Sequence, residues 1–187
     1  MDFEKPLAEH SACPHMAILL DTVDDVAPAL ASFYGLGLRR GGWLFHRSVP
    51  GGAAEDRRAM TAHGLDVAGL EESGRMEVNE VPITDPPETW AEPWLPVIDR
   101  RLEAGFEAVW WSRFPIGPDQ ELFKVALRYD RHWDTAMAGR KAVSLCVYVV
   151  GDLPAAAREE RIGELRAVHD ATLVAPRGGE MSVIRRT

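Results

Sequence analysis

Residues 15–47 place two short apolar runs on either side of a helical pattern. The first run, 16–20, stops at Asp21, and the second begins at Trp43, directly after Gly41 and Gly42. Two buried strands joined by a helix form a parallel pair, because a crossover of this length returns the chain to the same end of the sheet. This β-α-β unit predicts a parallel sheet, which the rest of the chain would have to extend.

The same alternation continues along the sequence. Further strands are predicted over residues 74–81, 106–111, 142–150 and 172–174. Helices are predicted over 53–63, 88–104, 121–137 and 154–168, with a short helical turn over 67–73. Strands that alternate with helices in this way predict an α/β protein, with three α/β/α layers and a mostly parallel central sheet.

The chain of 187 residues is expected to form one domain, since a single hydrophobic core commonly takes roughly 100–200 residues. Residues 1–14 carry little pattern and predict an irregular lead-in. The domain itself is expected over 15–175, followed by a polar C-terminal tail over 176–187. Within that tail, residues 181–184 could instead pair on an edge of the sheet.

The composition argues against several classes of partner. A net charge of -8 disfavours nucleic-acid binding, which needs a basic face, and binding to anionic membrane surfaces. No apolar run reaches the roughly 20 residues that span a bilayer, and the acidic N-terminus lacks a signal-peptide core. Two cysteines do not make a disulfide framework. We therefore expect a cytoplasmic protein with no nucleic-acid or membrane partner.

The turn after the first strand reads Asp21-Thr22-Val23-Asp24-Asp25. It lies where α/β proteins commonly bind phosphate, because ligands bind beyond the carboxyl ends of parallel strands. A phosphate loop needs glycines and a lysine here, and the turn has neither. Its carboxylates would repel a phosphate held at a helix N-terminus. The sequence therefore predicts that nucleotide is not bound in the usual way, and that Asp24 or Asp25 caps the helix.

Several short segments follow one another in a fixed order. His15 precedes an apolar strand that ends in the acidic turn, and "AHGLDVAGLEESGRMEV" follows the second strand. The later segments are "LRYDRHWDTAM" with Tyr129 and Asp130, "VSLCVYVV" with Cys146 and Tyr148, and "LRAVHD" with His169. In this order, over about residues 12–175, they resemble the MEDS domain, a sensory domain of methanogen and methylotroph proteins.

The resemblance implies a fold similar to the RecA/KaiC-type α/β domain with its phosphate loop lost, which agrees with the acidic turn. It also implies that the chain senses a small molecule, such as a hydrocarbon derivative. Members of the family are often fused to DNA-binding or kinase-like output modules, and this sequence has no space for either. We therefore expect a stand-alone sensory domain that signals through a separate protein, with a homodimer as one form of assembly.

The ligand is expected to be small and partly apolar, and to bind at the carboxyl rim of the sheet. Its predicted contacts are Asp21, His46, Trp111, Arg113, Tyr129 and Trp133. Small-molecule sites are mostly apolar with a few polar anchors, which suits tryptophans beside an arginine. Trp110 and Trp111 are adjacent on a strand, so they point to opposite faces and only one can line a given cavity. No catalytic residue and no resident cofactor are predicted.

Two other functions stay open. One is an enzyme on the same scaffold, with Cys13 and His15 as candidate heme ligands, because cysteine and histidine both ligate heme iron. Asp130 and Asp134 lie one helical turn apart and offer either an acid–base pair or a solvated helix face. The other function is a ligand-free protein-interaction module. Cys146, in the middle of an apolar strand, is expected to behave as a small buried hydrophobe.

Overall fold

The computed structural model describes residues 1–4, 7, 14–81, 86, 88–176 and 181–185 of the chain. The strands among these residues are β1 (His15–Leu20), β2 (Trp43–Ser48), β3 (Met76–Glu80), β4 (Val109–Arg113), β5 (Ala142–Val149), β6 (Ala171–Ala175) and β7 (Ser182–Arg185). The helices are α1 (Val26–Arg39), α2 (Ala53–Ala62), α3 (Val67–Glu72), α4 (Leu95–Glu103), α5 (Gln120–Ala136) and α6 (Ala155–Arg166). A short 3-10 turn, Val23–Asp25, leads directly into α1.

The strands form one sheet in the order β3-β2-β4-β5-β1-β6-β7. Every neighbouring pair is parallel except β6 and β7, which are antiparallel. The predicted α/β architecture with a mostly parallel central sheet is therefore confirmed. Strand β7 falls within the predicted polar tail and pairs on the edge of the sheet, as the alternative for residues 181–184 proposed.

Different helices cover the two faces of the sheet, because successive residues of a strand point to opposite sides. In β5, Val143, Leu145 and Val147 pack in the apolar cluster that contains side chains of α1, α2 and α3. The alternate residues Cys146 and Tyr148 pack with side chains of α5 and α6. We call these two sides of the sheet the α1 face and the α5 face. Together they give the three layers of the domain.

The helix before β4 starts later than the sequence predicts. The pattern places a helix over 88–104, whereas α4 begins at Leu95 and the described residues just before it form turns. Pro93 accounts for the difference, because proline lacks an N–H and disfavours the helical conformation at Glu92, the residue before it. Pro96 lies in the first turn of α4, where the missing N–H has no intrahelical partner to lose.

Strand β4 is also displaced from its predicted position, since it covers Val109–Arg113 rather than 106–111. Gly105, with a φ of 96°, ends the preceding helix in a conformation that glycine adopts readily. The Phe106 N–H donates to the Arg101 carbonyl oxygen at 3.3 Å, so Phe106 still belongs to the end of that helix. Because β4 extends to residue 113, Arg113 belongs to the strand. The alternation of side chains along β4 then decides which of them reach the α5 face.

Helix α5 has 17 residues and turns one apolar side towards the sheet. Its outward residues, such as Lys124, Arg128 and Arg131, are exposed. An amphipathic helix of this kind buries one stripe against a core and keeps the other in water. None of the helices in the described ranges is long and apolar enough to cross a membrane.

Candidate functional site

A small cavity of about 40 Å³ lies on the α5 face, between α5 and the strands β4 and β5. Its lining comprises Arg47, Trp90, Trp111, Arg113, Phe114, Ala126, Tyr129, Asp130, Trp133, Ser144 and Cys146. Four predicted ligand contacts are in this set, namely Trp111, Arg113, Tyr129 and Trp133. A space of this size holds a few waters or a molecule of few atoms, so a larger ligand would have to displace a side chain.

Three tryptophans and a tyrosine form the apolar wall of the cavity. Trp90 and Trp133 are stacked with ring centroids 6.0 Å apart, and Trp111 meets Trp133 edge-on at 5.7 Å. Tyr129 meets Trp90 edge-on at 6.3 Å. The guanidinium of Arg47 lies 5.4 Å from the centroid of Trp90 and 5.8 Å from that of Trp111. A cation over an aromatic face is favourable, so a positive charge is held beside the wall.

The two adjacent tryptophans of β4 point to opposite faces, as strand alternation predicts. Trp111 lines the cavity, whereas Trp110 packs in the cluster on the α1 face. A Cβ atom at Gly42 would lie 2.2 Å from Cδ1 of Trp110, so only glycine leaves room for that indole. Trp111 is therefore the tryptophan of this pair that a ligand in the cavity would meet.

Asp130 organises the polar side of the cavity. Nη2 of Arg113 donates to both carboxylate oxygens, at 3.0 and 3.1 Å, and the Tyr148 hydroxyl donates to the same carboxylate. Burial alone would raise the pKa of Asp130, but the Arg113 guanidinium, followed by His169, holds this pKa well below its usual range. The carboxylate is therefore charged, and its counter-ion lies within hydrogen-bond distance.

Asp130 occupies a position that α5 otherwise fills with apolar side chains. A buried carboxylate is costly unless it is paired, and Arg113 supplies that pair from the end of β4. The buried residues of α5, at helical spacing, are Phe123, Ala126, Leu127, Asp130 and Trp133. A carboxylate within such a stripe indicates a specific role.

Strand β5 brings further polar side chains to the same place, since Ser144, Cys146 and Tyr148 alternate towards the α5 face. The Cys146 thiol donates to Oδ1 of Asp130 at 3.3 Å. Burial raises the pKa of the Cys146 thiol, and the charge of Asp130 raises it further, so the group is a neutral thiol at pH 7. Cys146 is buried as expected, but it contacts a carboxylate rather than apolar groups alone.

Two buried histidines complete the arrangement. His15, at the start of β1, has Nε2 3.6 Å from Sγ of Cys146. His169, just before β6, has Nε2 3.4 Å from Oδ2 of Asp130 and Nδ1 3.0 Å from the Leu165 carbonyl oxygen. The two imidazole rings are 4.2 Å apart. We call His15, Asp130, Cys146 and His169 the buried cluster.

His46, one of the predicted ligand contacts, lies on the α1 face with the sheet between it and the cavity. Its Nδ1 is 3.2 Å from the Tyr34 hydroxyl, and its Nε2 is 3.1 Å from Oδ2 of Asp56. The Ser48 hydroxyl donates to the same oxygen at 2.5 Å. His46 therefore belongs to a separate hydrogen-bonded group and does not line the cavity.

Asp21, another predicted contact, also lies away from the cavity, at the carboxyl end of β1. Its carboxylate pairs with Arg158 at 3.3 Å, and a Cβ atom at Gly151 would lie 1.9 Å from its carbonyl oxygen. Asp25 turns back to accept hydrogen bonds from the N–H and hydroxyl of Thr22, at 3.2 and 2.6 Å. The carboxylate of Asp25 thus closes the acidic turn rather than capping α1 directly.

A wider groove of about 550 Å³ runs along the carboxyl rim on the α1 face. Its lining includes the carboxylates Asp24, Glu55 and Asp56, and Asp56 is already engaged by His46. A binding site is marked by polar groups that converge on an apolar wall and by displaced pKa values. The groove has the lowered pKa of Asp56 but no tryptophan or tyrosine in its described lining, whereas the α5-face cavity joins the lowered pKa of Asp130 to an aromatic wall. We therefore assign the candidate site to that cavity.

A heme bound to the candidate ligands would need a large open space beside them. Cys13 lies outside the described residues. The His15 ring is enclosed, 4.2 Å from the ring of His169 and 5.5 Å from that of Trp133. Sites for cofactors of this kind occupy roughly 300–1,000 Å³, and Cys146 already stands beside Nε2 of His15. The described residues around His15 therefore do not fit a heme.

The sequence contains local signals for part of the buried cluster, although none of its four residues is among the predicted ligand contacts. Asp130 stands on an apolar helical stripe, and Ser144, Cys146 and Tyr148 alternate within an otherwise apolar strand. Both patterns mark polar groups that face a core. His169 carries no such local signal, because only the order of the strands brings it beside α5.

Comparisons with known proteins extend these observations. A family model described as "MEthanogen/methylotroph, DcmR Sensory domain", or MEDS, matches residues 14–170, which is most of the chain. No curated protein matches the sequence significantly.

Solved structures share the fold. A KaiC-like protein from the hyperthermophilic archaeon Pyrococcus horikoshii is similar with a TM-score of 0.56 and 16% sequence identity, over 92% of this chain and 79% of its own. A second Pyrococcus horikoshii protein has a TM-score of 0.58 and 10% identity, over 98% of this chain and 91% of its own. At such identities the likeness shows a KaiC-like α/β fold alone.

Proposed function

Since the chain belongs to the MEDS family of sensory domains, we propose that it senses a small, partly apolar molecule bound in the cavity on the α5 face. The observation that carries this proposal is the meeting of an aromatic wall with Arg113 and Asp130 around one cavity. Pockets with an apolar lining and a few convergent polar groups are the usual form of small-molecule sites.

The side chains of the cavity favour a ligand with both an apolar and a polar part. The polar lining contains donors in Arg47 and Arg113, an acceptor in Asp130 and a hydroxyl in Ser144, so the ligand would present a small polar group such as a halogen or an oxygen. Trp90, Trp111 and Trp133 would contact its apolar part. A halogenated or oxygenated compound of one to three carbons has both features and suits the small volume.

Binding of a molecule in the cavity would change the position of α5. Tyr129, Asp130 and Trp133 line the cavity from that helix, so a ligand that displaces an aromatic ring would shift the helix as well. The outer side of α5 exposes Arg128 and Arg131 to solvent. All described elements belong to the one α/β domain, and we propose that a separate protein receives the signal at a surface such as this one.

Tryptophan fluorescence tests the proposal, because three of the protein's six tryptophans line the cavity. Dichloromethane, methanol and acetate serve as small probes that carry a halogen, a hydroxyl and a carboxylate. We expect at least one probe to change the emission in a saturable manner. Trp111→Phe should reduce that change, whereas Trp110→Phe, a change at the neighbouring residue on the opposite face, should retain it.

Near-ultraviolet circular dichroism of both variants shows whether the fold is kept. A flat response of the wild type to all three probes would contradict the proposal. Equal loss of response in the two folded variants would also contradict it, because the signal would then not come from the cavity.

A further inference from the structure

The four side chains of the buried cluster come from α5, β5, the first residue of β1 and the turn before β6. One ligand atom from each of His15, Asp130, Cys146 and His169 can be chosen so that all four lie within 4.8 Å of one another. All four residues are buried, none more than 4% exposed. Imidazole nitrogens, a thiol and a carboxylate in one place form a set of metal-ligand atoms.

Three of the separations fall in the range found around a tetrahedral ion, with Cys146 and His169 beside different oxygens of Asp130. Nε2 of His15 is 3.6 Å from Sγ of Cys146, which is 3.3 Å from Oδ1 of Asp130. Nε2 of His169 is 3.4 Å from Oδ2 of the same carboxylate. A tetrahedral ion bonded to nitrogen at about 2.0–2.1 Å and to sulfur at about 2.3 Å separates its ligand atoms by roughly 3.3–3.6 Å.

The hydrogen bond of His169 leaves its other nitrogen in need of a partner. The Leu165 carbonyl oxygen can only accept, so Nδ1 of His169 carries the proton in that bond. Nε2 of His169 then faces an oxygen of Asp130, which can only accept. Two acceptors at 3.4 Å repel each other unless a proton or a cation lies beside them.

The outward-facing nitrogens of the two histidines lie beside the kinds of acceptor that metal-bound histidines usually have. Metal-bound histidine commonly donates its second N–H to a carbonyl or a carboxylate, which fixes the ring. His169 does so to Leu165, and Nδ1 of His15 lies 3.8 Å from a carboxylate oxygen of Asp134. Both rings therefore turn Nε2 towards the centre of the cluster.

We propose that the buried cluster binds a divalent transition metal of the zinc type, through Nε2 of His15, Nε2 of His169, Sγ of Cys146 and one oxygen of Asp130. Imidazole and thiolate ligands select zinc, cobalt, nickel or copper over magnesium and calcium, which prefer oxygen. The proposal goes beyond the sensing function, because the cavity can bind a ligand whether or not the cluster holds an ion.

Metal binding at this place has a defined proton balance. Cys146 binds as a thiolate, so its proton leaves to solvent when the sulfur–metal bond forms. If His169 is protonated beforehand, the proton on Nε2 leaves as well. Arg113 and Tyr148 would keep their hydrogen bonds to Asp130 and orient the carboxylate around the ion.

Cobalt titration of chelator-treated full-length protein tests the proposal directly. Tetrahedral Co²⁺ with a thiolate ligand absorbs in the visible range and shows a sulfur-to-cobalt charge-transfer band in the near ultraviolet. We expect both bands to saturate at one Co²⁺ per chain and to vanish when Zn²⁺ is added. Cys146→Ser should lose the charge-transfer band, and His169→Gln should weaken binding by at least about tenfold.

His46→Gln is the matched control, because His46 also pairs with an aspartate but lies on the other face. It should bind Co²⁺ as the wild type does. As a second readout, Zn²⁺ should raise the melting temperature of the wild type and of His46→Gln, but not of Cys146→Ser. This readout applies even if removal of the ion unfolds part of the protein.

The proposal is overturned if folded wild-type protein binds neither ion at one per chain, or if Cys146→Ser keeps the charge-transfer band. A proton on Nε2 of His169 would then explain the geometry. The fluorescence titration with small probes, carried out on chelator-treated protein, is independent of this outcome, so failure of the metal site and failure of the sensing function can be told apart.

Discussion

Two buried polar groups lie on opposite faces of the same sheet, and each contains a histidine, a tyrosine and an aspartate. On the α1 face, His46 contacts Tyr34 through one ring nitrogen and Asp56 through the other. On the α5 face, Asp130 accepts from Arg113 and from the thiol of Cys146, beside a cavity. In the first group, the side chains are hydrogen-bonded one after another, whereas in the second group several side chains converge on one carboxylate.

The difference indicates which group stabilises the fold and which could bind a ligand. On the α1 face, both ring nitrogens of the histidine have partners, so the group satisfies its buried polar atoms and has no ring nitrogen available for a ligand. A centre that gathers a guanidinium, a carboxylate, a thiol and two imidazoles next to a space is typical of a functional site. A histidine–aspartate pair alone therefore does not mark a site, whereas a surplus of polar groups beside an aromatic cavity does.

Removal of a carboxylate charge should give the largest difference in stability between the two faces. Asp130→Asn leaves the Arg113 guanidinium buried without its counter-ion, and we expect the free energy of unfolding to fall by about 3–5 kcal/mol. Asp56→Asn, the matched change on the α1 face, should cost about 1–2 kcal/mol, because Asp56 is only half-buried. Urea denaturation at neutral pH measures both losses, and equal values would contradict the distinction.

A double variant sharpens this result. Arg113→Met combined with Asp130→Leu removes both charges at once, and replacing a whole buried ion pair is often close to neutral. We expect the double variant to be more stable than Asp130→Asn. A double variant as unstable as the single one would show that the loss comes from packing and not from an uncompensated charge.

Acid should act unequally on the two faces. Against the effect of burial, Arg113 lowers the pKa of Asp130 and His46 lowers that of Asp56. A lowered pKa stabilises the folded protein above the unfolded value of about 3.9, and this contribution is lost as the pH falls towards the folded value. The wild type should therefore lose stability as the pH drops below about 4. We expect a smaller loss in Asp56→Asn and the smallest in Asp130→Asn.

Unfolding free energies measured in urea at a series of acidic pH values give this comparison. If Asp130→Asn keeps the full pH dependence of the wild type, the ion pair with Arg113 does not govern the acid response. The account of the α5 face would then have to be revised.

The two tyrosines provide the smallest and most closely matched pair of changes. The hydroxyl of Tyr148 donates to the charged Asp130, whereas that of Tyr34 donates to the Phe45 carbonyl oxygen at 3.0 Å. Hydrogen bonds to charged groups are stronger, so Tyr148→Phe should cost about 1.5–3 kcal/mol and Tyr34→Phe about 0.5–1.5 kcal/mol. Thermal and urea unfolding would measure both, and the reverse order would oppose the assignment of charge to Asp130.

Much of the fold follows from patterns that are local in the sequence. The apolar runs of β1 and β5 and the helical spacing of α5 predict these elements at nearly their observed bounds. The predicted start of α4 was wrong, because the prediction of a helix over 88–104 did not consider the effect of Pro93. The order of the strands depends on long-range pairing, and no single segment encodes it.

The candidate site could be predicted only in part, for the same reason. Trp111 and Arg113 share one side of β4, so their joint presence at a cavity follows from strand alternation. Asp21 follows β1 and His46 lies near the carboxyl end of β2, but Asp21 pairs with Arg158 and His46 points to the α1 face. His169 reaches the site through tertiary structure alone, because β6 lies beside β1.

A crystal soaked in dibromomethane, a small and partly apolar probe, tests the central claim most directly. Anomalous scattering from bromine locates the probe without assumptions about side-chain positions. The account predicts the strongest bromine peaks within the cavity, between Trp111 and Trp133 and in contact with Arg113. Bromine bound only in the rim groove near Asp56, with the aromatic wall of the cavity closed and unchanged, would contradict it.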